Sequence, residues 1–210
     1  SRGHKIYLLD YKRSLRNKFS SKKIKYQKID ITSLKSLYKF KAPKNSILLH
    51  CAAQPSAAVS FKNPYDDQKK NILGMINIIN FAKKNKVKKI IFASTFNVYN
   101  ENFKVYKLKE TSECKPKSLY AISKLAAENY LRVYATHLGL KWNILRMFNI
   151  YGPGQDRKNK NLGMISIFLN MAKNNPKVLV KGSLKRFRDF IYIDDVIEAW
   201  YKLALDKKNY

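Results

Sequence analysis

Tyr120 and Lys124 lie four residues apart in the stretch Ser118-Leu-Tyr120-Ala-Ile-Ser-Lys124. The apolar spacing over residues 118–137 predicts a helix, which sets both side chains on one face a turn apart. A phenol beside an ammonium can move protons. A free tyrosine titrates near 10 and is a poor base at neutral pH. A positive charge about 4 Å away, at an effective dielectric of about 20, favours the phenolate by roughly 4 kcal/mol, or about three pKa units. Tyr120 would then be a usable proton acceptor. The spacing alone carries little, since 14 Tyr in so lysine-rich a chain give about two such pairs by chance. The second pair here is Tyr65 and Lys69.

The elements that must position the pair follow from the apolar runs. Residues 5–10, 24–29, 46–50, 88–94 and 143–147 read as strands, with further strands near Val178 and Phe190. Residues 32–40 read as a short helix with Thr32 as its cap. A helix of three to four turns or more follows Pro64, with Ile72, Met75, Ile76 and Ile79 on one face. Residues 164–172 and a segment from Asp194 complete the helices. Residues 95–117 and 148–155 read as loops. Continuous apolar strands alternating with helices predict an α/β fold, a doubly wound parallel sheet with helices on both faces. Ligands bind such sheets beyond the carboxyl ends of the strands. That singles out Asp10, Asp30, residues 50–54, Ser94, Thr95, Phe148 and Asn149.

Composition narrows the classes. The chain of 210 residues is long enough to bury a core, and no apolar run is long enough to cross a membrane. Cys51 and Cys114 have neither metal-ligand nor disulfide spacing, so no metal is expected and a reducing, cytoplasmic setting is. The net charge is +29, carried by lysines spread along the whole chain. No basic helix alternates with exposed aromatics, so dilute surface lysine is favoured over a nucleic-acid-binding face.

Asp10, closing the first strand, can accept hydrogen bonds from an adenosine ribose and repel a 2′-phosphate, favouring NAD over NADP; Lys12 and Arg13 blur that preference. A solvent-facing strand end is the plain alternative. Ala52 and Ala53 let a cofactor approach the backbone, or simply pack tightly. Thr95 offers a hydroxyl at the end of the fourth strand.

Taken in order, the segments His50-Cys-Ala-Ala-Gln54, Asn71-Ile-Leu-Gly-Met-Ile-Asn77, Phe92-Ala-Ser-Thr-Phe-Asn-Val-Tyr99, Tyr120-Ala-Ile-Ser-Lys124, Arg146-Met-Phe-Asn-Ile-Tyr-Gly-Pro-Gly-Gln155 and Arg188-Asp-Phe-Ile-Tyr-Ile-Asp-Asp195 resemble the extended short-chain dehydrogenase/reductase family of NAD-dependent nucleotide-sugar epimerases and dehydratases. The resemblance covers essentially the whole chain. It implies a Rossmann-type NAD-binding domain over residues 1–150 and part of a nucleotide-sugar-binding region over 151–210. It also implies a homodimer built on the helices near Asn71 and Tyr120.

Carried onto this chain, the resemblance makes Tyr120 the catalytic acid/base, Lys124 the ligand of the nicotinamide ribose, and Thr95 the partner of the reacting sugar hydroxyl. Asp10, Asp30, Ile31, Ala52, Ala53, Gln54, Asn71, Ser94 and Phe148 would line the NAD. Asn149, Asn161, Leu162 and Arg188 would hold the nucleotide-sugar, the arginine suiting a diphosphate. Dehydratases of the family place an Asp-Glu pair after the threonine, and decarboxylating members a glutamate. Phe96 and Asn97 stand there, and neither is a general acid or base. The expected reaction is epimerization, most simply at C4 of a UDP-hexose. A C2-epimerase, a keto-reductase, and a non-catalytic or RNA-binding relative are the alternatives.

The family's glycine-rich phosphate turn is missing, and Ser1-Arg-Gly-His-Lys resembles the tail of its first helix. The first strand and glycine loop are therefore expected to precede residue 1, and the substrate region to be incomplete at the other end. Without that turn, the 210-residue chain is expected to bind NAD with a Kd above about 10 μM.

Overall fold

In a computed structural model, the described residues are 3–12, 24–100, 107–155, 163–174, 177–180 and 188–206. Strands β1 (Ile6–Asp10) and β2 (Ile24–Lys28) form one parallel pair. Strands β3 (Ile47–His50), β4 (Lys89–Thr95) and β5 (Lys141–Met147) form a second parallel group in that order. β6 (Asn149–Tyr151) and β7 (Phe190–Tyr192) form a third. Every pairing is parallel, as the continuous apolar runs predict.

Among the described residues no ladder joins β1 to β3, so the expected single sheet is divided. A shared apolar layer bridges the division. Leu9 of β1 and Leu48 of β3 both pack on Ile29, Leu37, Ile78 and Phe81.

The helices α2 (Ala57–Lys62), α3 (Pro64–Gln68) and α4 (Gly74–Lys84) follow β3. A π-turn at Lys69–Leu73 joins α3 to α4. Gly74 allows α4 to approach residue 31, since a Cβ there would meet the Ile31 Cδ1 at 2.8 Å. Helix α5 (Leu119–Tyr130) carries the Tyr120 pair and continues through a second π-turn, Leu131–Ala135. Its buried face and that of α4 cover β3–β5 through Met75, Ile79, Ile90, Phe92, Ala127 and Leu131. On another apolar layer, Ile91 of β4 packs with Val196 and Trp200 of α7 (Ile193–Leu205). The far end of α7 is fixed by Lys89, 1% exposed. Its Nζ donates to the carbonyls of Leu203 (3.1 Å) and Asp206 (2.6 Å), a cation satisfying C-terminal carbonyls of a helix.

Four local expectations are corrected. The helix at 32–40 shrinks to α1 (Leu34–Leu37), capped by Ser33, because Thr32 is held by the Asp30 carboxylate instead. The stretch 148–155 is not all loop; Asn149–Tyr151 pairs with β7. Residues 177–180 form no strand. Helix α2 was hidden by its short length, but Ser56 caps it by accepting from the Val59 N–H. The remaining helix, α6 (Met164–Asn174), lies where the apolar spacing puts it.

Candidate active site

The carboxyl end of β4 packs against α5, with Thr95 meeting Tyr120 in that helix's first turn. Ser118 caps that helix, accepting from the Ala121 N–H at 3.2 Å. Tyr120 is held at both backbone atoms. Its N–H donates to Ser60 Oγ at 3.0 Å, and its carbonyl accepts from Ser123 Oγ at 2.9 Å. Ser60 is fully buried and itself donates to the Ala57 carbonyl at 2.7 Å. Ser60→Ala should leave a first-turn N–H without an acceptor and cost about 1–3 kcal/mol, read as a drop in thermal midpoint. An unchanged midpoint would show that this bond contributes nothing.

Ser123 also accepts from Asn71 Nδ2 at 2.9 Å, and Asn71 opens a buried polar network. Its amide oxygen accepts from the Gln54 N–H at 2.8 Å and its Nδ2 donates to the Gln54 carbonyl at 3.2 Å. Asp67, 2% exposed, accepts from Gln54 Nε2 (2.7 Å) and Asn71 Nδ2 (3.2 Å). Gln54 Oε1 accepts from the Ser56 N–H at 2.6 Å. The network ties the loop after β3 to α5. The Asn71 side chain thus pins the Gln54 backbone, in the loop that holds Ala52 and Ala53.

Thr95 and Tyr120 lie within hydrogen-bond reach of each other, but the phenol is not tuned as the charge argument expects. Thr95 and Tyr120 are both buried, and the Thr95 side chain is a hydrogen-bond partner of the phenol. The Thr95 Oγ1 accepts from the Asn97 N–H at 3.3 Å, so its proton remains for donation. The Tyr120 pKa is raised, first by burial; the Thr95 bond lowers it and the Asp67 charge raises it again.

The expectation that Lys124 lowers it is therefore corrected. The Lys124 ammonium lies 4.1 Å from the centroid of the Phe92 ring, and the charges acting on it are Cys51, Glu128 and Asp67. Burial pulls Lys124 down to about 8. It is 3% exposed and meets no hydrogen-bond acceptor among the described residues. His50, stacked on Phe92 at 5.5 Å, is held at about 3 by burial and by the Lys124 charge, and so is neutral.

The other expected site residues divide by partner. Asp10 closes β1 with its carboxylate on the Lys12 N–H at 2.8 Å. The Asp30 carboxylate holds Thr32, and the Ile31 carbonyl accepts from Asn77 at 2.9 Å. The Ser94 hydroxyl points into the protein and donates to Glu128. Phe148 stacks on Phe96 at 5.1 Å and lines a groove of about 260 Å³ with Met147, Asp189 and Phe190. Asn149 Nδ2 donates to the Asp189 carbonyl at 2.8 Å, and Arg188 is exposed. Asn161 and Leu162 lie outside the described residues. Tyr65, of the second Tyr/Lys pair, is 82% exposed and lies in no such setting.

Sequence reasoning missed Ser60, Asp67, Ser123 and Glu128. Only Glu128 left a signal: at four residues past Lys124 and eight past Tyr120 it falls on their helix face.

Known proteins can be set beside this geometry. The model of the NAD dependent epimerase/dehydratase family matches residues 1–209. A dTDP-D-glucose 4,6-dehydratase of Dictyostelium discoideum is 33% identical over 171 residues, covering 77% of this chain and 38% of its own. The structure of a UDP-glucose 4-epimerase from Thermotoga maritima with UDP-glucose superposes at a TM-score of 0.88, with 32% identity over 99% of this chain and 67% of that one. A Thermus thermophilus UDP-glucose 4-epimerase complex with NAD gives 0.84, with 31% identity over 99% and 69%. The chain spans about half the length of the curated relatives it matches. With the parallel strands, the paired Thr95 and Tyr120 and the buried Lys124 in place, the chain belongs to the NAD-dependent epimerase/dehydratase family.

Proposed function

We propose that the protein carrying this chain is an NAD-dependent nucleotide-sugar epimerase, acting on a UDP-hexose at C4. The observation that carries this reading is the meeting of the Thr95 hydroxyl with the Tyr120 phenol beside a buried ammonium. Lys124 supports NAD in particular. A desolvated cation without an acceptor fits a ribose diol, which offers two oxygens. Asp10, Asp30, Ile31, Ala52, Ala53 and Phe148 would form the rest of the cofactor's surface. Bound NAD supplies a hydride acceptor that returns the hydride within the same cycle.

The chain's own residues do the proton work. Thr95 donates its hydrogen bond toward the phenol oxygen and favours its ionised form. Tyr120 takes a proton from the sugar hydroxyl during oxidation and gives it back during reduction. Lys124 would hold the nicotinamide ribose, while Thr95 is the group that favours the ionised phenol. Phe96 and Asn97 supply no acid or base for expelling water, which favours epimerization over dehydration. Arg188, with Asn149, Asn161 and Leu162, would face the nucleotide-sugar, and residues 151–210 would form part of that region.

Apolar Ile122 of α5 and Val133 of the π-turn that continues it are 49% and 70% exposed. They support a homodimer paired through that helix. The free thiols Cys51 and Cys114 fit a reducing, cytoplasmic setting.

The test is an NMR assay of the full-length protein with UDP-, GDP- and CDP-sugars. Conversion of UDP-glucose to UDP-galactose with no external NADH consumed is expected, together with a dimeric mass by light scattering. Dehydration to a 4-keto-6-deoxy sugar, or no turnover on any UDP-hexose, would reject this reading. A monomeric mass would reject the dimer alone.

A further inference from the structure

Glu128 is fully buried, and a lone carboxylate there would be costly. Three groups reach it. Arg146 Nε donates to both carboxylate oxygens at 3.1 Å, and Arg146 Nη2 to Oε2 at 2.7 Å. The Ser94 hydroxyl donates to Oε1. Ser94 and Arg146 are register partners on β4 and β5, so their side chains leave the same face of the sheet side by side. Arg146 extends the tie outward: its Nη1 donates to the Glu110 carbonyl at 3.2 Å, and its guanidinium lies 4.8 Å from the Tyr99 ring. Asn100 and Glu113 close the same loop, backbone at 3.0 Å and side chains at 2.7 Å.

Stability does not explain this arrangement. Replacing a buried ion pair by apolar residues of similar volume is often neutral or stabilising, because the charges must be stripped of water. Position does explain it. Ser94 precedes Thr95, Tyr99 follows it, and Glu128 shares a helix face with Tyr120 and Lys124.

We propose that Glu128 is a positioning residue for the Thr95–Tyr120 pair, fastening the end of β4 and the loop beyond it to the helix that bears the phenol. The inference rests on the epimerase reading for its kinetic consequence but not for its geometric one. Burial lowers the pKa of Lys124, and Cys51, Glu128 and Asp67 act against that; His50, which the Lys124 charge helps keep neutral, is the other titratable group facing it.

The experiment uses the full-length protein with Ser94→Ala and with the double variant Glu128→Met/Arg146→Met, which leaves neither charge unpaired. Ser94→Ala should lower kcat about tenfold, with KM for the UDP-hexose and NAD affinity within about twofold. The double variant should keep its thermal midpoint and lose about a hundredfold in kcat. Its crystal structure should show the separation of Thr95 Oγ1 from the Tyr120 oxygen enlarged by about 1 Å or more. A folded double variant with that separation unchanged overturns the proposal, as does one with kcat within threefold of the parent. If the parent itself turns over no UDP-hexose, the epimerase reading fails, and the crystallographic separation still decides the positioning role. Should the double variant not fold, Ser94→Ala decides it by the same two measurements.

Discussion

Tyr120→Phe will lower turnover about a thousandfold while NAD affinity changes by less than about threefold. The substitution removes one oxygen and keeps the ring. The ring is 9% exposed and its backbone is held by Ser60 and Ser123, so the fold has no reason to shift. That oxygen is the proposed proton carrier, and losing such a group typically costs about 10²–10⁴. Binding should be spared because the proposed ribose partner, Lys124, stays. Thr95 cannot substitute: an aliphatic hydroxyl ionises far less readily than a phenol, so it offers no oxyanion at neutral pH, and its oxygen already accepts from the Asn97 N–H. The measurement is single-turnover oxidation of a UDP-hexose, followed by NADH absorbance, beside an NAD titration. Turnover within about tenfold of the parent would show that the proton leaves by another route.

The sequence made the parallel architecture and the Thr95, Tyr120 and Lys124 set legible, because apolar runs and a helical offset of four are local signals. It did not show where the ammonium points. A four-residue offset fixes the face of a helix but not the rotamers of a long flexible side chain, and the Phe92 ring competes for the cation at 4.1 Å. Burial was equally invisible. The Coulomb estimate for Tyr120 assumed a partner charge and omitted desolvation, which is the largest influence on that phenol. The Asn71–Asp67–Gln54 network was hidden for a third reason: its members come from three segments, and only the fold brings them together. Ser33 in place of Thr32 as a cap is a one-residue error of the ordinary kind, decided by which hydroxyl Asp30 claims.

Lys124→Met should make the protein more stable at neutral pH while removing its cofactor binding. The lysine titrates near 8 when folded against 10.5 for its ordinary value. Between those pH values the unfolded chain binds more protons at this site than the folded one. Stability from this group therefore rises with pH through that window and is least favourable below 8. The gap corresponds to about 3 kcal/mol against folding at pH 7. Contact of the ammonium with Phe92 returns about 1–2 kcal/mol, and a methionine keeps part of it through its sulfur. The net gain on substitution is then about 1–3 kcal/mol, or roughly 2–12 °C in thermal midpoint for a chain of this size. The parent should close that difference as pH is raised from 7 to 10, since its lysine becomes neutral without the fold's help. In the same variant, NAD affinity should fall at least about a hundredfold, the loss of a charged hydrogen-bond donor to the ribose. Midpoints of both proteins across pH 6.5–10, with NAD titrations at pH 7, test both halves. A variant less stable than the parent at pH 7, or an offset that does not vary with pH, would mean that the ammonium is better solvated than its burial implies. The site would then hold no strain for a cofactor to relieve, and Lys124 would owe its place to packing.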